Sequence, residues 1–313
     1  MKVCFIGMCG HSRQAYRVLR SRVDVELCGV APGSAHENMT ESFDPEIPFF
    51  ASWQEMLDSV APELAIVSPV FGLTARIVIE CAERGIDVFS EKPVAASLEE
   101  LDRLEHAIKK SGIRFSAMHY LRFLPEFWHA ATLVRGGAIG EVKLINAQKS
   151  YRFGTRPEWY NDRNLFTGII PWVGIHAIDW IYAFSRKKFL SVSAMSFGSP
   201  ERTALCQFAL EDDVVASATL DYYRPKEAST HGDDRVRCVG SDGVIEVAHG
   251  RIRLINGGGE QWIEPTAAPE PLDSFLNGED IITADEILYL TKVALLARES
   301  ADNDGIKTVI EVK

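Results

Sequence analysis

The chain has 313 residues, 46% of them hydrophobic and 25% charged, which excludes disordered and fibrous proteins. Its formal net charge is −11. Binding to nucleic acid or to an anionic membrane needs a basic face, so neither partner is expected. A single nucleotide remains compatible with this charge, because backbone N–H groups at a helix N-terminus can bind its phosphates.

The cysteines and the N-terminus indicate a cytoplasmic protein. The six cysteines are scattered and form no C-x-x-C pair, which favours buried, reduced thiols over a disulfide framework or a metal site; they are Cys4, Cys9, Cys28, Cys81, Cys206 and Cys238. The first apolar run ends at Gly7 and is too short for a signal peptide. We find no run of the roughly 18 apolar residues that a membrane span requires.

The first part of the chain alternates strands with helices. Strands are predicted at 3–6, 25–30, 64–67, 88–90 and 115–118, and helices at 12–21, 53–60, 74–84 and 98–111. The helix at 98–111 has the clearest limits, because Ser97 and Glu100 form a capping box and Gly112 follows its end. This alternation predicts a parallel, doubly wound α/β sheet in a domain spanning 1–118.

A different pattern follows in residues 119–313. Helices are predicted at 124–135, near 178–184 and at 284–301, the last with Thr283 and Glu286 as a capping box. Alternating strands are predicted at 142–151, 190–197, 204–210, 214–223, 235–239, 244–247 and 252–255, with turns at 240–243 and 256–259 and a loop at 265–271. The pattern indicates an α+β domain with an open, largely antiparallel sheet.

The turn after the first strand carries a degenerate dinucleotide-binding signature. The pattern G-x-G-x-x-G keeps Gly7, but Cys9 and Ser12 replace the other glycines and an extra glycine stands at Gly10, before His11. The same residues equally fit an ordinary glycine-containing turn. The end of strand 2, at Ala31, lacks the acid that binds the ribose of NAD and lacks an arginine for the phosphate of NADP. The choice between NAD and NADP stays open. The absence of a cation that could balance the extra phosphate of NADP favours NAD.

Four later segments together resemble the Gfo/Idh/MocA family of glucose–fructose oxidoreductases and inositol dehydrogenases. Ser90-Glu91-Lys92-Pro93 follows the fourth strand, and the other three segments are His119–Phe123, Gly136–Val142 and Gly174–Asp179. The resemblance covers essentially the whole chain. It implies a Rossmann domain, an α+β domain and an active site between them, with hydride transfer between a nicotinamide and a carbinol carbon of a sugar, polyol or derivative.

The resemblance also implies roles for individual residues. Lys92 would be the catalytic acid or base, with the Lys92–Pro93 peptide bond cis, and His176 would contact substrate and serve as a second base. Taken alone, His176 in this apolar stretch fits a core residue better than a site residue. Asp179 either orients His176, or it caps the helix or pairs elsewhere. The candidate cofactor-binding residues are Gly7, Cys9, Gly10, His11, Ser12, Ala31, Ser68, Pro69, Glu91 and Lys92. The candidate substrate-binding residues are His119, Arg122, Tyr160, Asp162, Trp172 and Asp179.

The chain departs from the family pattern at the proposed site. Trp172 stands where the family often has an aspartate, and Thr74 stands where it has a histidine, besides the changes at Cys9 and Ala31. Tyr160 or Asp162, in a polar aromatic loop at 151–164, could replace the missing carboxylate.

Three functions therefore stay open: a dehydrogenase, an NAD-assisted glycosidase or lyase, and a non-catalytic dinucleotide-binding regulator. An open apolar sheet face further predicts a homodimer or homotetramer.

Overall fold

The computed structural model describes residues 1–39 and 42–311, which form two compact units. The first unit contains residues 1–118 together with 162–167 and 270–292. The second contains 119–161, 168–269 and the chain from Val293 onward. Residues 162–167 and 270–292 thus belong to the same unit as the first 118 residues.

The first unit contains the parallel sheet that the sequence predicts. Its strands are β1 (Lys2–Ile6), β2 (Glu26–Ala31), β3 (Leu64–Val67), β4 (Asp87–Ser90) and β5 (Phe115–Ala117), in the order β2-β1-β3-β4-β5. Its helices include α1 (Ser12–Arg20), α2 (Trp53–Val60), α3 (Thr74–Glu83) and α4 (Leu98–Ser111). The strand order reverses at β1 and β3, and ligands of open α/β sheets bind beyond the carboxyl ends of the strands at such a point.

Local signals in the sequence account for these elements. All four residues of β3 are buried, so the strand shows no polar alternation, as is usual inside a parallel sheet. Helix α4 begins where predicted, because the Glu100 N–H donates to Ser97 Oγ at 3.2 Å. It ends at Gly112, whose φ of +70° places it in the left-handed region that glycine adopts most easily.

Two short helices complete the first unit. Helix α6 (Arg163–Phe166) lies so close to Gly72 that a β-carbon there would collide with the Asn164 carbonyl. In helix α8 (Pro271–Leu276), the Phe275 ring packs 5.7 Å from the Phe89 ring, and the Arg114 guanidinium lies 4.3 Å from its centroid. Neither helix is predicted from the sequence, because four and six residues are too few to show a helical period.

The second unit contains a nine-stranded sheet in the order β13-β12-β11-β10-β6-β9-β8-β7-β14. Every pair of neighbours is antiparallel except β6 and β9, which confirms the prediction of a largely antiparallel sheet. The strands are β6 (Val142–Tyr151), β7 (Phe189–Gly198), β8 (Glu201–Leu210), β9 (Val215–Asp221), β10 (Gly232–Gly240), β11 (Gly243–Ala248), β12 (Arg251–Asn256), β13 (Gly259–Ile263) and β14 (Thr308–Val309).

Helices α5 (Pro125–Arg135) and α7 (Ile175–Ser185) pack together in the second unit. The rings of Phe127 and Trp180 stack with centroids 4.3 Å apart and join the two helices. Helix α7 begins three residues before its predicted start, so His176 lies in its first turn. A last helix, α9 (Ala284–Asp302), begins within the first unit after Thr283, whose Oγ1 accepts the Glu286 N–H at 3.2 Å, and its residues from Val293 onward belong to the second unit.

Residues 163–185, which include α6 and α7, are long and apolar enough to cross a membrane by length and composition alone. Of their apolar window, 89% is buried inside the folded chain. Burial of this kind is typical of a helix in a protein core, and core helices often have the length and apolar composition of a membrane span.

We expect replacement of Ser97 by alanine to lower the free energy of unfolding of the first unit by about 1 kcal/mol, because helix α4 loses its N-cap acceptor. Urea unfolding followed by circular dichroism measures the change. Ser97→Asp is the matched control, since aspartate keeps an acceptor and should retain most of the stability. Equal losses in both variants would contradict this explanation.

Candidate functional site

Gly7 forms the sharp turn at the carboxyl end of β1. Its φ is +80°, and a β-carbon at this position would collide with the Ser68 carbonyl and the Pro69 ring. Its N–H donates to the Ala31 carbonyl at the end of β2, at 2.9 Å. The ends of β1, β2 and β3 therefore meet at Gly7, where the predicted dinucleotide turn requires a close approach of backbone.

Cys9 occupies the second position of the glycine pattern and is anchored by its backbone. Its N–H donates to the Ser68 carbonyl at 2.8 Å, and its own carbonyl accepts the hydroxyls of Ser68 and, at 3.0 Å, Ser12. Burial, together with the carboxylates of Glu37 and Glu91, raises the pKa of the Cys9 thiol well above its usual value. The thiol is therefore protonated and is not a nucleophile at neutral pH.

Glu91 connects the end of β4 to the start of helix α1. Its Oε2 accepts the His11 N–H at 2.5 Å, and its Oε1 lies 3.0 Å from His11 Nδ1. Gly10 allows this approach, because a β-carbon there would collide with the Glu91 carboxylate. Burial opposes ionisation, but the charges of His11 and Lys92 and the hydrogen bonds from His11 hold the pKa of Glu91 below its usual value. Glu91 is thus a buried carboxylate at a helix N-terminus, where negative charge is stabilised.

Lys92 is buried beside this carboxylate. Its side chain is 1% exposed, and its Nζ lies 3.9 Å from Glu91 Oε1. Its backbone N–H donates to the same oxygen at 3.1 Å. The Lys92–Pro93 peptide bond is cis, as the family resemblance implies. The structure therefore places Lys92 inside the first unit, at the carboxyl end of a strand, and not on its solvent-exposed surface.

Glu37 is a carboxylate of this region that the sequence analysis misses. It accepts the Val70 N–H at 3.0 Å and the Gly33 N–H at 3.4 Å, and its other contacts include the Ser34 hydroxyl at 3.2 Å. Burial raises the pKa of Glu37, although these hydrogen bonds oppose the rise. The dinucleotide pattern places the ribose-binding acid at the end of β2, whereas Glu37 lies six residues beyond that end, in the loop that follows.

His119, Arg122 and Asp179 form a buried cluster in the second unit. Arg122 donates from its Nε to Asp179 Oδ1 at 2.9 Å and from a terminal nitrogen to the same atom. His119 Nδ1 lies 3.3 Å from Asp179 Oδ2. Burial opposes ionisation, but Arg122 and His119 hold the pKa of Asp179 below its usual value. Asp179 therefore pairs with Arg122 and His119, the second of the two alternatives that the sequence leaves open.

His176 and Trp172 lie in the same buried part of the second unit. His176 is 3% exposed in the first turn of α7. Trp172 lies in a π-helical turn over Ile170–Gly174 and is 8% exposed. An indole at this position cannot supply the carboxylate that the family often has there. Substrate binding by these two residues stays a prediction.

Tyr160 and Asp162 differ in their surroundings. Tyr160 is buried in the second unit, with its ring 4.4 Å from that of Trp159 and the Arg156 guanidinium 5.2 Å from its centroid. Asp162 is exposed and belongs to the first unit, where its Oδ1 accepts the Asn164 N–H at 2.9 Å and caps helix α6. The cap explains Asp162 without a catalytic role, so Tyr160 is the better candidate of the two.

The described residues, 1–39 and 42–311, contain no group of three or more histidine, cysteine or acidic side chains arranged to hold a metal ion.

We expect Asp179→Asn to lower the free energy of unfolding at pH 7 by about 3–5 kcal/mol, because it leaves Arg122 buried without its carboxylate. Since the pKa of Asp179 is lowered by folding, its contribution is complete above the ordinary carboxyl pKa of about 4 and disappears as pH falls through the lowered value. The difference in the free energy of unfolding between Asp179→Asn and the unmodified protein should therefore be smaller in acid than at pH 7. Urea unfolding at pH 7 and again in acid measures the loss of stability at each pH, and Asp102→Asn, at an exposed position, is the control. A deficit independent of pH would refute this assignment.

Two family models match the chain and together cover most of it. Residues 1–119 match the oxidoreductase family with an NAD-binding Rossmann fold, and residues 127–246 match the Gfo/Idh/MocA C-terminal domain. The first match contains the glycine turn, Glu91 and Lys92, and the second contains His176 and Asp179.

Two curated relatives match part of the chain. The NADP⁺-dependent scyllo-inositol 2-dehydrogenase IolW of Bacillus subtilis is 25% identical over 154 residues, which are 49% of this chain and 43% of that protein. The 2,7-anhydro-N-acetylneuraminate hydratase of Mediterraneibacter gnavus is 35% identical over 134 residues, which are 43% of this chain and 35% of that protein. In both cases the match spans less than half of the relative.

One solved structure has the same fold over nearly the whole chain. A Thermotoga maritima protein assigned as an oxidoreductase is 38% identical, covers 99% of this chain and 100% of its own, and superimposes with a TM-score of 0.95. GenD2 of gentamicin A biosynthesis, solved with NAD, has the same fold, with a TM-score of 0.83 at 16% identity over 100% of this chain and 97% of its own. The two model matches, in the order the sequence predicts, show that this chain belongs to the Gfo/Idh/MocA family of oxidoreductases.

Proposed function

We propose that the protein is an NAD-dependent oxidoreductase that transfers hydride between a nicotinamide and a carbinol carbon of a sugar, polyol or derivative. The observation that carries the proposal is Lys92, which is buried beside Glu91 at the carboxyl end of β4, in the same unit as the glycine turn. A surface lysine would be surrounded by water, whereas a lysine buried at this edge of the sheet is suited to proton transfer.

The first unit offers groups that fit a dinucleotide. Gly7 and Gly10 leave room at the turn that β-carbons would fill, and helix α1 follows with its N-terminus at the turn. We propose that backbone groups of this turn bind the pyrophosphate and that Glu37 accepts hydrogen bonds from a ribose. A carboxylate there would repel the extra phosphate of NADP, which favours NAD. Bound nicotinamide would supply the hydride acceptor or donor.

Lys92 would handle the proton that accompanies hydride transfer. Oxidation of CHOH to C=O removes a proton from oxygen while hydride leaves carbon, so a base must accept that proton. In the reverse direction the ammonium would donate a proton to the carbonyl oxygen. Low exposure helps in both directions, because a charged donor acts more strongly where water is excluded.

We propose that His176 contacts the substrate and serves as a second proton acceptor. The support is its place in the Gly174–Asp179 segment and its low exposure in the first turn of α7. His119 is a further candidate, because its Nε2 is buried and has no hydrogen-bond partner among the residues that the structure describes. Arg122 and Asp179 would position His119 and need not touch the substrate.

A second candidate function is a net elimination or hydration that uses bound NAD transiently. The 35% identity to a 2,7-anhydro-N-acetylneuraminate hydratase favours it, although the match covers only 43% of this chain. The two functions differ in their products. A dehydrogenase accumulates reduced nicotinamide, whereas this second reaction leaves the bound cofactor unchanged after each turnover.

We expect Lys92→Met to lower kcat by about 10²- to 10⁴-fold while NAD⁺ binding is retained, because the variant loses the proton acceptor but keeps the glycine turn. Purified protein is mixed with NAD⁺ or NADP⁺ and a panel of sugars, inositols and sugar acids, and the absorbance of reduced nicotinamide is followed. Lys110→Met, on the exposed side of α4, is the control. Unchanged turnover in Lys92→Met would exclude Lys92 as the acid or base.

We expect Glu37→Ala to raise the affinity for NADP⁺ relative to NAD⁺ by about tenfold, or about 1.4 kcal/mol, because a negative charge near the ribose is removed. Titration of intrinsic tryptophan fluorescence with each nucleotide gives both dissociation constants. Glu63→Ala, at an exposed position outside this region, should leave the ratio unchanged. The same ratio in Glu37→Ala and the unmodified protein would show that Glu37 does not contact the ribose.

A further inference from the structure

We propose that Glu91 and His11 form a proton path that connects the ammonium group of Lys92 to solvent. The inference rests on the proposed function, in which Lys92 exchanges a proton with substrate at every turnover. It assigns a role in proton transfer to two residues that the sequence predicts only as cofactor contacts.

The burial of the three side chains creates the need for a path. Lys92 is 1% exposed and Glu91 is 0% exposed, so neither group can exchange protons directly with bulk water. The His11 side chain is 22% exposed and is the member of the cluster that reaches solvent. A buried base that must lose its proton after each turnover needs a solvent-exposed group to which the proton can pass.

The distances follow the order that a path requires. Lys92 Nζ lies 3.9 Å from Glu91 Oε1, and the same oxygen lies 3.0 Å from His11 Nδ1. The first separation is that of an ion pair. A shift of about 0.7 Å in the position of Lys92 Nζ would bring the donor within hydrogen-bond distance of Glu91 Oε1. The carboxylate itself is fixed by the backbone N–H groups of His11 and Lys92.

The proton moves from Lys92 to Glu91, then from Glu91 to His11, and a proton is finally released from His11 to water. First, an N–H bond of Lys92 breaks and an O–H bond of Glu91 forms, which leaves a neutral amine and a neutral carboxyl. Then, in the His11 tautomer that carries its proton on Nε2, that O–H bond breaks and an N–H bond forms at Nδ1, while the Nε2 proton passes to water; exchange with solvent afterwards restores this tautomer. One proton moves from Lys92 to solvent, no electrons are transferred, and the reverse sequence protonates Lys92.

The other titratable groups near this turn do not replace His11. The Cys9 thiol keeps its proton, because burial, Glu37 and Glu91 raise its pKa. Glu37 accepts hydrogen bonds from the Gly33 and Val70 backbone N–H groups. His11 is therefore the group that joins Glu91 to solvent.

Exchange of the Lys92 ammonium protons with water tests the path without any substrate. In protein labelled with ¹⁵N-lysine, the Lys92 signal is identified by its loss in Lys92→Met. We expect its exchange rate to fall about tenfold or more in His11→Ala and in Glu91→Gln. Added imidazole should restore exchange in His11→Ala but not in Glu91→Gln. His106→Ala, an exposed histidine on α4, should leave the rate unchanged.

Two results would overturn the proposal. Equal exchange rates in His11→Ala and the unmodified protein would show that protons leave Lys92 by another route. Slower exchange that imidazole does not restore would show that His11 acts only by holding Glu91 in place. If Glu91→Gln does not fold, the His11→Ala variant with and without imidazole decides the question alone.

Turnover provides an independent measurement. With an oxidisable substrate, a pH indicator should report that proton release lags behind formation of reduced nicotinamide in His11→Ala, while the two coincide in the unmodified protein. If the unmodified protein oxidises no member of the substrate panel but exchange responds as expected, the proposed function fails and the proton path stands. Turnover with proton release unaffected in His11→Ala would instead refute the path and leave the function intact.

Discussion

The ionised carboxylate of Glu91 is the interaction on which the first unit's candidate site depends. A buried negative charge is costly unless cations and hydrogen-bond donors surround it. His11 and Lys92 supply both, and Gly10 supplies the space that the carboxylate occupies. One side chain thus ties the turn after β1 to the end of β4, so the nucleotide turn and the candidate acid–base group are held in fixed relation within the unit.

The second unit uses the same physics with a different set of residues. Asp179 is fully buried, and it stays ionised because Arg122 binds it through two nitrogens and His119 lies beside it. A buried ion pair of this kind contributes little net stability compared with apolar packing, but removal of one partner is costly. The cluster therefore fixes the orientation of the His119 ring at the start of the unit more than it strengthens the fold.

Elements with a clear periodic pattern and a cap could be predicted from the sequence, and short elements could not. Helix α4 has both signals, and its predicted limits agree with the structure. Helices α6 and α8 have caps, at Asp162 and Glu270, but are too short to show a periodic pattern. Their packing against Gly72 and Phe89 depends on residues distant in the chain. Strand β13 was missed because its residues are mostly exposed and polar, without the apolar alternation that indicates a strand.

The candidate site was predictable where one segment carries the signal. The family resemblance of Ser90-Glu91-Lys92-Pro93 implies a cis bond between Lys92 and Pro93, and the structure contains that bond. The partner of Asp179 was not predictable, since the sequence left open both orientation of His176 and pairing elsewhere, and the fold brings Arg122 from a separate segment. Glu37 was missed for the same reason, because its loop returns to the turn after β1 only in three dimensions.

The discontinuous composition of the first unit constrains how the chain folds during synthesis. Residues 270–292 belong to the same compact unit as the N-terminal 118 residues, with Phe275 packed on Phe89 and Arg114. The parallel sheet can begin to form early on the ribosome, but the apolar surface that α8 covers stays exposed until residues 270–292 have been synthesised. The nascent N-terminal unit is therefore a natural client for chaperones that bind exposed apolar surface, and truncation of the chain before residue 270 would leave that surface permanently uncovered.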